Sequence, residues 1–90
     1  MNQTDIKNRI YDILKGQSSY EDWKPILEKS SYDGLDLFLY SELGFNSLDI
    51  IEFIIDINKE FDMNIDDKIF DSNVTLRTII KYLKDELYKR

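Results

Sequence analysis

The sequence predicts an all-α protein, a small helical bundle formed by a single domain that spans residues 1–90. Three segments repeat their apolar residues at the spacing of an amphipathic helix. No segment alternates apolar and polar residues as a strand does, and there is no internal repeat. A chain of 90 residues with 42% hydrophobic residues can bury one core, but it leaves little room for a deep substrate cleft.

The first helix is predicted over about residues 4–15. Thr4 is the expected N-cap because its hydroxyl can accept a hydrogen bond from the first turn, and Gly16 is the expected end. One face of this segment carries apolar residues at helical spacing: Ile6, Ile10, Ile13 and Leu14.

A long structured loop is predicted between the first and second helices, over residues 16–46. Its apolar periodicity is poor, and it contains most of the turn-forming residues of the chain. Because an unstructured loop of this length is uncommon in a small domain, we expect a helical turn near residues 25–29, with Pro25 in its first turn, and another turn near residues 35–40. The apolar side chains that can hold the loop on the core are Trp23, Ile26, Leu27, Leu35, Leu37 and Leu39.

The second and longest helix is predicted over about residues 47–61. It has more apolar residues than one buried stripe needs, so some of them should stay on the surface or meet a partner. Its carboxylates, spaced at 3, 4 and 4 positions, form an acidic row along one edge of the helix: Asp49, Glu52, Asp56 and Glu60.

Two further helices are predicted near the end of the chain. The third is a short one over about residues 67–71, and the fourth runs over about residues 75–88 with Thr75 as its N-cap. The apolar face of the fourth helix consists of Leu76, Ile79, Ile80, Leu83 and Leu87.

The composition excludes several classes of function. The chain has no cysteine and no histidine, which removes disulfides, thiolate nucleophiles, cysteine-based metal sites and the Ser-His-Asp triad. The excess of 18 acidic over 12 basic residues argues against nucleic acid and favours a partner with a basic surface. No apolar run is long enough to cross a membrane, and the first residues show no targeting segment, so we expect a cytoplasmic protein that does not bind membranes. A stand-alone enzyme is not expected.

One segment imitates a calcium-binding loop without completing it. Residues 62–66 carry oxygen-bearing side chains at the first, third and fifth positions of an EF-hand loop. The sixth position, which is normally glycine, is Asp67, and the twelfth, which normally supplies a bidentate carboxylate, is Asn73. We therefore predict a polar connection between helices and no metal site.

Ser47 is the residue that points most directly to a function. It opens the longest predicted helix, directly after residues 44–46. Its position alone leaves two roles open: an N-cap serine, shared or contested with Asn46, or a serine whose hydroxyl carries a phosphate ester. The second role fits because a helix N-terminus offers free N–H groups and a positive dipole to a phosphodiester.

The residues around Ser47 add a family resemblance. The segment Glu42-Leu43-Gly44-Phe45-Asn46-Ser47-Leu48-Asp49 resembles the attachment motif of acyl carrier proteins, which is usually a Leu-Gly-x-Asp-Ser-Leu core. The resemblance continues without a gap to residues 60–61 and then through residues 65–67 into the last helix, so that it covers about residues 39–85. A bare Gly-x-x-Ser-Leu match is weak evidence, but this ordered series over about half of the chain is specific.

The resemblance implies a four-helix bundle of acyl-carrier-protein type. In this family a phosphopantetheinyl transferase moves a 4′-phosphopantetheine arm from coenzyme A to a serine, here Ser47, and the thiol of the arm carries acyl or aminoacyl groups as thioesters. The resemblance also implies a monomer whose second helix meets the basic docking surfaces of loading and processing enzymes. The partner-binding residues implied are Asp49, Ile51, Glu52, Ile55, Asp56 and Glu60, and the inward-facing ones are Leu48, Phe53, Ile54, Ile57 and Phe61.

Three departures from the family pattern bear on the pathway. Asn46 stands where carriers of fatty acid synthesis normally have Asp, Asn58 and Lys59 fall in a stretch that is usually acidic, and the first connection, which contains Trp23, is longer than usual. These departures favour a discrete carrier in a specialised pathway of polyketide or nonribosomal-peptide type. The alternatives are a housekeeping carrier of fatty acid synthesis, or an unmodified interaction module in which Ser47 remains a cap.

Overall fold

The computed structural model describes residues 2–30 and 33–89 and confirms the all-α fold. In chain order the elements are α1 (Gln3–Lys15), α2 (Tyr20–Lys29), α3 (Ser47–Phe61), a short 3-10 helix (Asp67–Ile69) and α4 (Leu76–Tyr88). The predicted short helix at residues 67–71 is therefore a single 3-10 turn. The long connection before α3 contains a complete helix that the sequence pattern had indicated only as a turn.

The core is built from the apolar faces of all four helices. Helix α1 lies against both α3 and α4. Because the buried residues of α1 and α4 fall at helical spacing, one face of each helix is removed from water while the other remains solvated. The fully buried side chains include Ile6, Ile10, Leu14, Trp23, Phe53, Ile57, Ile79, Ile80 and Leu83.

The ends of α1 and α4 are fixed by side-chain and backbone caps. Asn2, and not Thr4, caps α1, because its side-chain oxygen accepts a hydrogen bond of 2.9 Å from the Asp5 amide. Gly16 ends α1 as predicted, with its amide donating back to the last turn. Thr75 caps α4 as predicted, accepting from the Thr78 amide at 3.1 Å.

Helix α2 begins five residues earlier than the predicted turn, so that Pro25 lies inside the helix and not in its first turn. Proline has no N–H to donate to the preceding turn, and an interior position costs about 3 kcal/mol. The packing of Trp23, which is only 1% exposed, offsets this cost. Burying an indole removes about 150–250 Å² from water, which is worth about 4–6 kcal/mol. The helical spacing of Tyr20, Trp23 and Leu27 is the signal that marks this helix.

Residues 33–46 connect α2 to α3 as a series of turns that run past the start of α4. The Leu39 amide donates to the Val74 carbonyl at 3.1 Å, and the Arg77 amide donates to the Leu35 carbonyl at 2.9 Å. An isolated antiparallel bridge pairs Phe38 with Thr75. These contacts bring the chain to the beginning of α3 in a fixed position.

Candidate functional site: the start of α3

Helix α3 begins with a complete capping box. The side-chain oxygen of Asn46 accepts from the Asp49 amide at 2.9 Å, and the Asp49 carboxylate accepts from the Asn46 amide at 2.9 Å. Asn46 is therefore the N-cap, and Ser47 is the first residue of the helix. The two roles that the sequence left open for Ser47 are thus separated, because the capping role belongs to its neighbour.

The Ser47 side chain is exposed to solvent, and among the described residues none forms a hydrogen bond with its hydroxyl. The capping box uses the amides of Asn46 and Asp49, and the described part of the chain offers no acceptor to the amides of Ser47 and Leu48. An exposed hydroxyl beside two unused N–H groups at a helix N-terminus fits a phosphodiester on Ser47. Asn46 adds no negative charge beside that position.

The turn before α3 is shaped by a glycine and anchored by aromatic rings. Gly44 has φ +81°, a left-handed conformation that residues with a side chain adopt only with strain. Phe45 follows it into the core, where its ring stacks on Trp23 and lies 5.8 Å from the ring of Phe53. The backbone two residues before Ser47 is therefore held from beneath by an aromatic cluster.

The acidic row of α3 is contacted along its length by the α1–α2 connection and by α1. Ser19 donates to Asp49 at 2.6 Å, Ser18 to Glu52 at 3.2 Å, and Gln17 to Asp56 at 2.5 Å. Three consecutive residues thus bind three successive carboxylates of the row. The fourth carboxylate, Glu60, forms an ion pair of 3.5 Å with Arg9 in α1.

Asp49 does not present its carboxylate to solvent as the helix-edge pattern predicted. Its side chain is 5% exposed, because the capping box and Ser19 occupy its two oxygens. The expected exposure of this carboxylate along the helix edge is therefore wrong, and its hydrogen bonds hold the start of α3. Glu52 and Asp56 are half-buried, and Glu60 is exposed.

A row of exposed apolar side chains lies beside the acidic row. Leu48, Ile51 and Ile55 are 62%, 54% and 46% exposed, and their spacing puts them on one face of α3. The inward position predicted for Leu48 is wrong, because the core is filled from the opposite face by Phe53 and Ile57. Ile51 and Ile55 lie on the surface as predicted.

Comparison with known proteins identifies the class to which this fold and site belong. A family model described as "Phosphopantetheine attachment site" matches residues 32–83, which is more than half of the chain. The acyl carrier protein of Cyanophora paradoxa is 36% identical over 86 residues, covering 94% of this chain and 75% of that protein. The acyl carrier proteins of Trieres chinensis and Chlorobium phaeovibrioides are 29% and 28% identical, and each is covered over 96% of its length.

The fold and the matched family define a phosphopantetheine-bearing carrier. The chain belongs to the acyl carrier protein family. It is a carrier and not a catalyst, its prosthetic group is covalently attached 4′-phosphopantetheine, and its interactions are with a phosphopantetheinyl transferase and with carrier-processing enzymes. Within the described residues, no helix is long and apolar enough to span a membrane.

Proposed function

We propose that Ser47 is the attachment residue and that the chain carries acyl or aminoacyl groups in a specialised pathway of polyketide or nonribosomal-peptide type. The observation that carries the assignment of Ser47 is the exposed hydroxyl at the first position of a capped helix, beside two amides with no acceptor in the described chain. When bound, the phosphopantetheine supplies a thiol that holds its cargo as a thioester.

In the attachment step, the Ser47 hydroxyl is the nucleophile. Its hydroxyl oxygen forms a phosphodiester bond to the pantetheine phosphate of coenzyme A. The pyrophosphate bond of coenzyme A breaks, and adenosine 3′,5′-bisphosphate leaves. The hydroxyl proton passes to a base of the transferase. The Asn46–Asp49 capping box keeps the hydroxyl at the exposed helix start. The unused amides of Ser47 and Leu48 can then stabilise the phosphodiester charge.

The proposed docking surface is the exposed part of α3. Ile51 and Ile55 give it an apolar centre, and Glu52, Asp56 and Glu60 give it a negative edge. An apolar centre with a charged rim is typical of protein interfaces, and the charge favours fast encounter with basic partner surfaces. Asp49 supports this surface from below and does not contact the partner. The proposed carrier is a monomer in the cytoplasm.

The assignment to a specialised pathway rests on departures from the family pattern that have structural roles in this chain. Asn58, in a usually acidic stretch, accepts a hydrogen bond of 2.9 Å from the Ile65 amide and so fixes the turn after α3. The longer first connection forms α2, and Trp23 of that helix packs beneath the attachment turn. Asn46 caps α3 without adding charge beside Ser47. Of these changes, the uncharged Asn46 is exposed next to Ser47, where a transferase or a loading enzyme would make contact.

Intact mass after incubation with coenzyme A and a promiscuous phosphopantetheinyl transferase tests the assignment of Ser47. We expect a single phosphopantetheine increment on the wild type and on Ser41→Ala, and none on Ser47→Ala. Ser41 is a matched control because it is an exposed serine six residues before Ser47. An increment that persists in Ser47→Ala contradicts the assignment, and no increment on any folded variant favours the unmodified interaction module.

The proposed pathway is tested by identifying the cargo that the protein carries in its source cells. The tagged protein is isolated from its source cells with the thioester intact, the cargo is released by a nucleophilic amine, and the product is identified by mass spectrometry. Polyketide intermediates or aminoacyl groups support the specialised pathway. A series of saturated and 3-hydroxy fatty acyl chains of increasing length contradicts it and favours the housekeeping carrier.

A further inference from the structure

Helix α2 contacts the chain on both sides of Ser47. Trp23 of α2 stacks on Phe45, two residues before Ser47, with the ring centroids 3.9 Å apart. Ser19, the N-cap residue of α2, donates a hydrogen bond of 2.6 Å to Asp49, two residues after Ser47. One helix therefore holds the backbone before and after the exposed hydroxyl.

Ser19 departs from the usual role of an N-cap serine. Of the four α-helices within residues 2–30 and 33–89, α1, α3 and α4 begin with a side-chain cap, and α2 does not. A serine at this position normally has extended backbone angles and accepts a hydrogen bond from an amide of the first turn. Ser19 has φ −92° and ψ 8°, and its hydroxyl donates to Asp49 instead. The stabilisation that a cap would give to α2 is exchanged for a contact with α3.

The Asp49 carboxylate connects Ser19 to the backbone beside Ser47. Its Oδ1 atom accepts from the Ser19 hydroxyl at 2.6 Å, and its Oδ2 atom accepts from the Asn46 amide at 2.9 Å. The terminal torsion of an aspartate is otherwise broad, but two bonds on opposite oxygens of a planar group fix its rotation. Because Asn46 directly precedes Ser47, the orientation of the carboxylate sets the backbone at that point.

The burial of Asp49 makes the contact with Ser19 difficult to replace. Asp49 is only 5% exposed. A buried carboxylate that loses a hydrogen-bond donor is costly, so it turns to reach water or another donor. Such a turn also moves Oδ2 away from the Asn46 amide, since both oxygens belong to one planar group. The start of α3 then keeps only the other half of the capping box, from the Asp49 amide to the Asn46 side chain.

We propose that Ser19 is a positioning residue for the transfer of the phosphopantetheine arm to Ser47. The inference rests on the proposed assignment of Ser47 as the attachment residue. Ser19 acts through Asp49 and Asn46, and its own hydroxyl is engaged by the carboxylate. The transferase requires the Ser47 oxygen in line with the bond that breaks, and a misplacement of about 1 Å can slow such a reaction by up to about 100-fold.

A positioning role changes kcat, whereas a docking role changes KM. The Ser19 hydroxyl points to the buried Asp49, and it does not contact the exposed side chains of Ile51 and Ile55 in the proposed docking surface. Removal of the hydroxyl therefore leaves the docking surface in place. It widens the range of positions that the Ser47 oxygen occupies after docking, and this lowers the rate of the chemical step.

The test is a steady-state kinetic measurement of arm transfer by the transferase, with the carrier as the varied substrate and intact mass as the readout. For Ser19→Ala we expect kcat to fall about tenfold while KM for the carrier changes by less than about twofold. Ser19→Thr keeps a hydroxyl at this position and should restore kcat to within about twofold of the wild type. All proteins are compared at a temperature at which circular dichroism shows that they are folded.

Ile10→Val is the control for a general loss of stability. Ile10 is 1% exposed in α1, and removing one methylene from a core destabilises a protein about as much as losing a buried hydrogen bond. Its neighbour Arg9 pairs with Glu60, in the last turn of α3 and far along the helix from Ser47. We expect Ile10→Val to lower the urea midpoint about as much as Ser19→Ala does, with kcat and KM unchanged.

The outcomes separate this inference from the assignment of Ser47. An unchanged kcat in Ser19→Ala, a rise in KM as its main effect, an equal fall of kcat in Ile10→Val, or no recovery in Ser19→Thr would each overturn the positioning role alone. An increment that persists in Ser47→Ala, or no increment on the wild type, would overturn the assignment of Ser47 and the positioning role with it.

Discussion

The indole of Trp23 stacks face to face on the phenyl ring of Phe45, with the ring centroids 3.9 Å apart and the planes 7° apart. Phe45 lies two residues before Ser47, so this contact joins α2 directly to the start of α3. Both rings are buried, and Phe45 also contacts Phe53 within α3. The long connection is therefore part of the support for the site.

Trp23→Ala is expected to lower the free energy of unfolding by about 3–5 kcal/mol, because it removes a large buried ring and leaves a cavity under Phe45. Urea unfolding followed by circular dichroism measures the change. Lys24→Ala, at the next and exposed position of α2, should change stability by less than about 0.5 kcal/mol. Equal small effects of both substitutions would show that α2 does not pack on the core in solution.

The three consecutive contacts of the α1–α2 connection with α3 differ in burial. Ser19→Ala removes the hydrogen bond to Asp49, whose carboxylate is buried and also completes the capping box. We expect a loss of about 1.5 kcal/mol, the lower end of the range for a bond to a charged group, because Ser19 is half-buried.

Ser18→Ala is the matched control for Ser19→Ala. Ser18 bonds the less buried Glu52 at the longer distance of 3.2 Å, so we expect a change of less than about 0.5 kcal/mol. Urea unfolding gives both values, and amide hydrogen exchange at the start of α3 should accelerate only in Ser19→Ala. Exchange that accelerates equally in both variants would argue against a specific link between Ser19 and the capping box.

The helices that the sequence predicted well are those with a single clean apolar face. α1 and α4 bury one stripe each, so their spacing alone locates them. The position of Ser47 at the start of α3 followed from a local motif, which needs no tertiary information. The predicted N-cap of α1, Thr4, differs from the observed one, Asn2, because both residue types are good caps and only the fold selects between them.

The remaining features depend on contacts between distant parts of the chain. The sequence predicts only a turn where α2 lies, because Pro25 is unfavourable inside a helix. The packing of Trp23 on Phe45 outweighs the cost of this proline. The burial of Asp49 depends on Ser19, which is 30 residues earlier. The periodicity of α3 does not show the contact with Ser19. From that periodicity alone, all four carboxylates of the acidic row are expected to be exposed.

Ile51→Ser tests whether the exposed apolar row of α3 serves partners and not the fold. Ile51 is 54% exposed, so we expect stability to change by less than about 0.5 kcal/mol. The rate of arm transfer by the phosphopantetheinyl transferase, measured by intact mass over time, should fall about tenfold, as the loss of an interface contact worth more than 1 kcal/mol implies. Tyr88→Ser is the control, since Tyr88 is 91% exposed at the end of α4. An equal fall in both variants would contradict docking on α3.

The ion pair of Asp36 with Arg77 gives the chain a defined dependence on acid. Arg77 Nε donates to Asp36 Oδ1 at 2.6 Å, and Nη2 donates to Oδ2 at 3.2 Å. The hydrogen bond from Arg77 lowers the pKa of Asp36 below its usual value of 3.8. Folding therefore favours the charged carboxylate, and this contribution to stability is complete above the unfolded pKa and lost as pH falls through the folded pKa.

Asp36→Asn removes the titrating group and keeps the shape of the side chain. We expect the wild type to be more stable than Asp36→Asn at neutral pH, by a small margin because the pair is exposed, and the two to converge as pH falls below about 4. Urea midpoints between about pH 2 and pH 7 measure this difference. Asp85→Asn, an exposed carboxylate on α4, is the control and should show no such convergence. A difference between wild type and Asp36→Asn that persists unchanged at the lowest pH would mean that the hydrogen-bond geometry, and not the charge of Asp36, stabilises this junction.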